Sequence, residues 1–147
     1  MDIMSIFSER LSDLMLDNKT TKQMLAVNLG IDITNIRKYL RKTSLPILAN
    51  AIKIAGFFGC SLDFLFGVDD ENYFLQETVL NPFSVNFKAI LKAKNCTRYK
   101  LNKATKISQQ SLDDWYCGKR QPNIENLITL AKYFDCSLDF LVGRSLK

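Results

Sequence analysis

The sequence predicts an all-α protein made of two tandem copies of one domain, with about five short helices in each copy. CSLDFLFG at 60–67 recurs as CSLDFLVG at 136–143, and a shift of 76 positions aligns residues 7–67 with 83–143 without a gap, 17 of 61 positions being identical. Apolar residues recur at three- and four-residue spacing, and no stretch alternates long enough to form a strand. The predicted domains are therefore 1–67 and 83–147, joined by a linker at 68–82.

Start and stop signals justify the helices of the second copy in order. The first helix has one apolar face, formed by Phe83, Phe87, Ile90 and Leu91. The second, third and fifth helices begin at hydroxyl residues that can cap free N–H groups, namely Thr97, Ser108 and Ser137. Pro122-Asn123 opens the fourth helix, which continues through Phe134. The third and fifth helices stop at Gly118 and Gly143.

Composition limits the classes of function. The chain has 147 residues, of which 47% are apolar, and this content suffices for packed cores. Its net charge of +5 favours nucleic acid over a membrane or an acidic protein as partner. With four cysteines, no CxxC pair and no histidine, we expect reduced thiols, no zinc site and no cofactor. The opening MDIMSIFSERL lacks the regions of a signal peptide, and no apolar run is long enough to span a membrane, so we expect a cytoplasmic protein.

The most informative segment of each copy is a pair of short helices joined by a tight turn, at 21–42 and 97–119. Such a pair forms a rigid corner whose second helix can enter a DNA major groove while the first contacts the backbone. The residues that carry a family pattern are Leu25-Ala26, Gly30-Ile31, Ile36, Tyr39 and Pro46 in the first copy, and Leu101, residues 107–112, Trp115 and Gly118-Lys119-Arg120-Gln121-Pro122 in the second. Both segments resemble the lambda-repressor-like, Cro-type helix-turn-helix family, also called the XRE family.

The two copies depart from this family pattern at different positions. The second copy has Lys106 where the turn glycine is usual and Asn102 where alanine is usual. The first copy has Lys42-Thr43 in place of Gly-Lys. The apolar positions and their register are retained, so the resemblance still implies the fold.

The resemblance implies base contacts from the N-terminal part of the third helix of each copy. The predicted base-contacting residues are Gln109, Gln110 and Asp114 in the second copy and Ile33, Thr34 and Lys38 in the first. A glutamine amide can bond bidentately to adenine, whereas an isoleucine can contact only a thymine methyl. Without the family register, the two glutamines are ordinary solvated helix residues. The aromatic residues Tyr39 and Trp115 have the spacing of core side chains and not of base-stacking ones.

Phosphate contacts are expected where the second helix begins and along the third, because free N–H groups and cations attract phosphate. The predicted phosphate-contacting residues are Thr21, Lys22, Arg37 and Arg41 in the first copy and Thr97, Arg98, Lys119 and Arg120 in the second. The cluster Arg37, Lys38, Arg41 and Lys42 fits a solvated face as well as a phosphate-binding one. Asp113 and Asp114 argue against DNA unless an acid accepts from a cytosine amino group.

These patterns lead to the hypothesis of a sequence-specific regulator of transcription that binds double-stranded DNA. We expect a repressor rather than an activator, which acts by sterically occupying its DNA site. Two domains in one chain would replace the usual two-fold dimer, and an asymmetric operator is expected because the recognition residues differ. Residues 1–70 are neutral and residues 71–147 carry the excess of +5, so the second half is predicted to supply more of the non-specific affinity. No segment outside the two copies remains as the seat of a regulatory ligand.

The alternative is a protein-interaction or dimerisation module, in which one or both copies no longer bind DNA. It is motivated by the neutral first half and by the apolar linker residues Tyr73, Phe74, Leu75, Val79 and Leu80, through which a homodimer or another protein would form contacts. A mixed version has the first copy dimerise and the second read DNA. An enzyme is disfavoured, because the chain has no histidine, no glycine-rich phosphate loop and no recognisable paired-carboxylate or Cys/His arrangement.

Overall fold

The computed structural model describes residues 2–72 and 80–145, and within these ranges it contains ten helices and no strand. In the first copy these are α1 (Ile3–Asp17), α2 (Lys22–Leu29), α3 (Ile33–Leu40), α4 (Leu48–Phe58) and α5 (Leu62–Leu65). In the second copy they are α6 (Phe83–Ala93), α7 (Arg98–Thr105), α8 (Gln109–Cys117), α9 (Ile124–Phe134) and α10 (Leu138–Leu141). The all-α prediction, with five helices in each copy, is therefore confirmed.

Contacts divide the chain into two compact units, Met1–Leu75 and Gln76–Lys147. In the first unit α1 packs on α3, and α2 packs on both α3 and α4. The second unit repeats this arrangement, since α6 packs on α8, and α7 contacts α8 and α9. The finer limits of 1–67, 68–82 and 83–147 stay a prediction.

The helix starts follow the predicted capping chemistry. The hydroxyl of Thr97 accepts from the backbone N–H of Lys100 at 3.0 Å, and that of Ser108 accepts from Ser111 at 3.1 Å. Ser137 caps α10 in the same way. The three predicted caps are therefore confirmed, and each satisfies an N–H group that the helix itself leaves unpaired.

The helix ends keep one backbone conformation in both copies even where the residue type differs. Gly30 ends α2 with φ 65°, and its counterpart Lys106 ends α7 with φ 63°. Gly118 follows α8 with φ 82°, and its counterpart Lys42 follows α3 with φ 63°. The departures from the family pattern at Lys106 and Lys42 thus preserve the left-handed turn.

Each unit has its own apolar core. Fully buried side chains include Phe7, Leu11, Leu25, Ile36 and Ile54 in the first unit and Phe87, Leu101, Leu112, Ile124 and Leu127 in the second. Tyr39 and Trp115 are each 3% exposed, and their rings contact Phe7 and Phe87 edge-on at 5.6 and 6.0 Å between centroids. This confirms the prediction that both aromatic residues belong to the core.

Three further expectations concern the linker, the cysteines and membrane-spanning helices. Of the apolar linker residues, Tyr73, Phe74, Leu75 and Val79 lie outside the described residues, and Leu80 is partly buried. No disulfide joins the four cysteines, all of which lie within the described residues. Across residues 2–72 and 80–145, no helix is both long and apolar enough to cross a bilayer.

Candidate nucleic-acid interface

In the second copy, side chains fix the turn that joins α7 to α8. The Asn102 amide donates to the carbonyl of Ile107 at 2.6 Å, and the Thr105 hydroxyl accepts from the backbone N–H of Ile107 at 3.3 Å. Ile107 itself is buried. Asn102 therefore does a structural task that alanine could not do, which explains this departure from the family pattern.

The two glutamines stand exposed at the start of α8, as a groove-reading position requires. The Nε2 of Gln109 donates to Asp113 and the Nε2 of Gln110 donates to Asp114, each at 2.9 Å and each one helical turn away. An amide nitrogen carries two hydrogens, so each glutamine keeps one N–H and its oxygen for another partner. These two groups are what a bidentate bond to adenine needs, and the aspartates restrict how the amides can turn.

The acids of α8 are each matched by a cation. The guanidinium of Arg98 lies 3.0 Å from the carboxylate of Asp113, and that of Arg120 lies 3.7 Å from Asp114. Asp114 is only 6% exposed, and its backbone carbonyl also accepts from the N–H of Lys119 at 2.9 Å. Asp114 thus points inward and supports the glutamine and the loop after α8. Its predicted base contact remains an untested prediction.

The predicted phosphate ligand Arg98 is held in place by more than its ion pair. Its guanidinium carbon lies 4.1 Å from the centroid of the Tyr116 ring, and the ammonium of Lys88 lies 4.9 Å from the same ring. Such cation–π contacts favour a cation above the ring face. Tyr116 could not be recognised from the sequence, because its counterpart in the first copy is Leu40 and its partner Arg98 lies 18 positions earlier.

In the first copy, an acid starts α3 and cations follow. The Asp32 carboxylate accepts from the backbone N–H of Thr34 at 2.8 Å, and this hydrogen bond lowers the pKa of Asp32 below its ordinary value of 3.8. Thr34 is exposed and Ile33 is half-buried. Lys38 is exposed one turn further on. All three predicted base-contacting residues of this copy therefore lie at or near the surface of α3.

The cationic phosphate-contacting candidates of the first copy have no ion pair within the described part of the chain. The exposed cations Lys22, Arg37 and Arg41, like Lys38, form no ion pair with any residue in the described ranges. The neighbouring Lys42 does have an ion pair, with its ammonium 3.7 Å from Glu9, and Arg37 and Lys38 lie close enough to the exposed Asp32 to lower its pKa. Cations without an internal partner are available to phosphate without first losing an ion pair.

Each copy has a groove where its second helix begins. In the first copy the groove has a volume of about 520 Å³ and includes Thr21, Lys22 and Arg37 in its lining. The equivalent groove of the second copy has a volume of about 540 Å³ and includes Thr97 and Arg98. The structure thus brings together, in the same place twice, a capping threonine, a cation and the N–H groups of a helix start.

The charge on each third helix differs from the net charge of the half that contains it. Helix α3, in the neutral half, carries Arg37 and Lys38 and no acid. Helix α8, in the half with the excess of +5, carries Asp113 and Asp114 and no base. The positive excess of the second copy therefore lies outside α8, on α7 and the following loop among other places.

Comparison with known protein families agrees with this geometry. The family described as Helix-turn-helix, of the Cro/C1 type, matches twice, at residues 11–65 and 87–141. No curated protein and no solved structure gives a significant match. The matched segments together cover most of the chain and include both helix pairs with their turns. The protein therefore belongs to the Cro/C1-type helix-turn-helix family of DNA-binding regulatory domains, in two tandem copies.

Proposed function

We propose that the protein is a sequence-specific regulator of transcription that represses by occupying double-stranded DNA with both of its domains. The observation that carries this proposal is the pair of exposed glutamine amides at the start of α8, each fixed by an aspartate and each keeping a free donor and acceptor. In a major groove this arrangement distinguishes adenine from the other bases. Cytoplasmic localisation follows from this function as part of the proposal.

The two copies have different tasks in this proposal. The second copy reads bases through Gln109 and Gln110, while Arg98 contacts a phosphate where α7 begins. The first copy contributes to the free energy of DNA binding mainly through the cations around α3 that have no ion pair with a described residue. Its Thr34 and Lys38 lie nearest to the bases. Phosphate contacts fix position, and base contacts supply sequence information. Non-identical recognition helices should therefore select an asymmetric operator.

The test begins with selection of preferred sites from random-sequence duplexes, followed by fluorescence anisotropy at several salt concentrations. Changing Gln109→Ala together with Gln110→Ala should remove about 1–3 kcal/mol of discrimination at each adenine contacted by a glutamine. Lys38→Ala should weaken binding to all sequences and reduce the salt slope by about 1. Lys53→Ala, which removes an exposed lysine on α4, is the matched control and should leave the slope unchanged.

The outcomes separate the parts of the proposal. Loss of sequence preference in the glutamine variant, with the salt slope retained, supports base reading by the second copy. Binding that stays equally selective in this variant would remove the assigned role of α8. Binding that is absent at low salt, or that does not depend on salt, would contradict DNA binding by the whole chain.

A second candidate function has one specific observation in its favour. The first copy exposes apolar side chains where the second copy has lysines: Leu16, Met24 and Val27 are 78%, 47% and 82% exposed. Their counterparts are Lys92, Lys100 and Lys103. Apolar side chains in place of cations favour contact with a protein over contact with phosphate. This supports a mixed version, in which the first copy binds a second copy of the same chain.

Analytical ultracentrifugation tests the dimer directly. The variant Met24→Lys/Val27→Lys places the residues of the second copy on α2 and should shift a dimer towards monomer. Lys53→Ala is again the control for altered surface charge. A wild-type chain that is monomeric at all accessible concentrations would exclude this candidate.

A further inference from the structure

The second copy contains a pocket that takes no part in the proposed DNA interface. It has a volume of about 490 Å³ and lies between one face of α6 and the short helix α10. Its apolar lining comes from Ala89, Ile90 and Ala93 on α6 and from Phe140 and Leu141 on α10. Pockets of this volume and character are typical of small-molecule sites.

The amide N–H groups and the cations at this pocket favour a ligand with negative charge or oxygen acceptors. Asn81, Asn86 and Lys94 contribute two amides and an ammonium, and Arg144 lies beside them. No acidic residue is among the described residues of the lining. The Arg144 guanidinium is already bound to Asp139 at 2.7 Å, so Lys94, which forms no ion pair with a described residue, is the cation available to a ligand.

Asn86 has an unusual environment for an amide. Its Nδ2 is buried and has no hydrogen-bond partner among the described residues. A buried donor without an acceptor is unfavourable, and native structures contain few of them. Asn86 lines the pocket beside Gly143, so an oxygen acceptor on a bound ligand would satisfy this nitrogen.

The first copy shows what fills the equivalent space. Arg10 is the counterpart of Asn86, and its guanidinium carbon lies 4.3 Å from the centroid of the Phe64 ring. Arg10 also donates to the carbonyls of Phe64 and Asp69 and to the carboxylate of Asp70. In the second copy the shorter Asn86 provides none of these contacts, and Phe140, the counterpart of Phe64, is 36% exposed. The pocket is therefore the space that a long side chain occupies in the other copy.

We propose that this pocket is a binding site for a small amphiphilic anion, with its apolar body against Ile90 and Phe140 and its carboxylate or sulfonate at Lys94 and Asn86. Its lining residues belong to α6, α10 and the segments beside them, and none of them is among the residues assigned to DNA contact. The sequence offers no ligand-binding segment outside the two copies, and the proposed site agrees with this because it lies within the second copy.

The experiment uses the full chain with anilinonaphthalene sulfonate as fluorescent probe and decanoate as competitor. The wild type should bind the probe saturably with one site per chain, and decanoate should displace it. Asn86→Arg installs the residue of the first copy and should weaken probe binding about tenfold or more, because several apolar groups lose their contact surface. Ala89→Trp fills the same space from another position and should have the same effect if Asn86→Arg disturbs folding.

The charge requirement is tested separately. Lys94→Ala should weaken binding of decanoate about fivefold and leave that of neutral decanol unchanged, since only the anion loses an ion pair. Lys92→Ala, on the same helix but outside the pocket lining, is the matched control and should alter neither. Wild-type protein that does not bind the probe, or probe binding that survives both filling variants at full strength, would overturn the site. Equal loss of decanoate and decanol binding in Lys94→Ala would overturn the anionic ligand.

Discussion

Replacing Lys106 by glycine should stabilise the second copy. Lys106 adopts the left-handed conformation at the end of α7, with φ 63° and ψ 11°. An L-residue in this region costs about 1–2 kcal/mol, whereas glycine adopts it freely. The glycine variant also gains freedom in the unfolded chain, which offsets about 0.4–1 kcal/mol of the benefit. The expected net effect of Lys106→Gly is therefore about 0.5–1 kcal/mol of added stability.

The chain offers a selective assay for this change. Trp115 is the only tryptophan, it is 3% exposed, and it lies in the core of the second copy, so its fluorescence reports the unfolding of that unit. For a urea slope near 1 kcal/mol/M, the midpoint should rise by about 0.5–1 M. Lys106→Ala removes the same charge and stem but keeps the backbone cost, so its midpoint should not rise. A midpoint that is unchanged in Lys106→Gly, or that rises equally in Lys106→Ala, would refute the backbone explanation.

The reverse change in the first copy belongs to the same reasoning. Gly30 has φ 65°, and a Cβ added there would meet no atom within 4 Å. Gly30→Ala therefore tests the backbone cost without a steric clash and should destabilise the first copy by about 1 kcal/mol, measured by circular dichroism. Destabilisation far larger than this would show that the two turns differ in more than residue type.

Three further changes give equally definite expectations. Tyr39→Phe removes the hydroxyl that accepts from Asn50 at 3.2 Å and should cost about 1 kcal/mol in urea unfolding followed by circular dichroism; no loss would mean that water replaces this bond. The folded pKa of Asp32 is lowered, so the charged carboxylate stabilises α3 above its unfolded pKa of 3.8, and this contribution is lost as the pH falls through the folded pKa. Asp32→Asn should therefore lose less stability in acid than the wild type, as measured by thermal melts at several pH values. Identical acid profiles of the two proteins would contradict this. Ser108→Ala removes the cap of α8 and should lower the Trp115 urea midpoint by an amount equivalent to about 1 kcal/mol; an unchanged midpoint would show that α8 needs no cap.

The fold was predictable because its determinants are local or repeated. Hydroxyl caps such as Thr97 and Ser108 identify helix starts from a few neighbouring residues, and the 76-residue repeat doubles the evidence for each apolar position. The left-handed turn at Lys106 was less accessible, since its residue type argues against the conformation. Buried positions on both sides of the turn, Leu101 and Leu112, impose that conformation, and a sequence pattern does not measure this constraint.

The candidate site was predictable in its position but not in its electrostatics. Family register places Gln109 and Gln110 at the start of α8, where the structure has them exposed. The partners of the α8 acids come from elsewhere in the chain, since Arg98 reaches Asp113 from the start of α7. In the same way, the pocket beside Asn86 exists because the second copy has asparagine where the first copy has Arg10. It also depends on α10, which lies more than 50 residues further along the chain. Such contacts require the folded coordinates.

Under the proposed function, the net charge of each half does not by itself determine how many phosphates that half contacts. The salt slope depends on how many phosphates are neutralised, and therefore on cations that face DNA without an internal partner. In the neutral half, Lys22, Arg37, Lys38 and Arg41 have no ion pair with a described residue. In the positive half Arg98 and Arg120 are paired with acids of α8, and Lys119 has no ion pair with a described residue. An ion pair with an acid lowers the affinity of an arginine for phosphate, but here the ion pairs also fix the aspartates that accept from the glutamine amides. Under the proposed function, the first copy would therefore contribute phosphate affinity through cations without ion pairs, while Arg98 and Arg120 of the second copy would fix its base-reading surface.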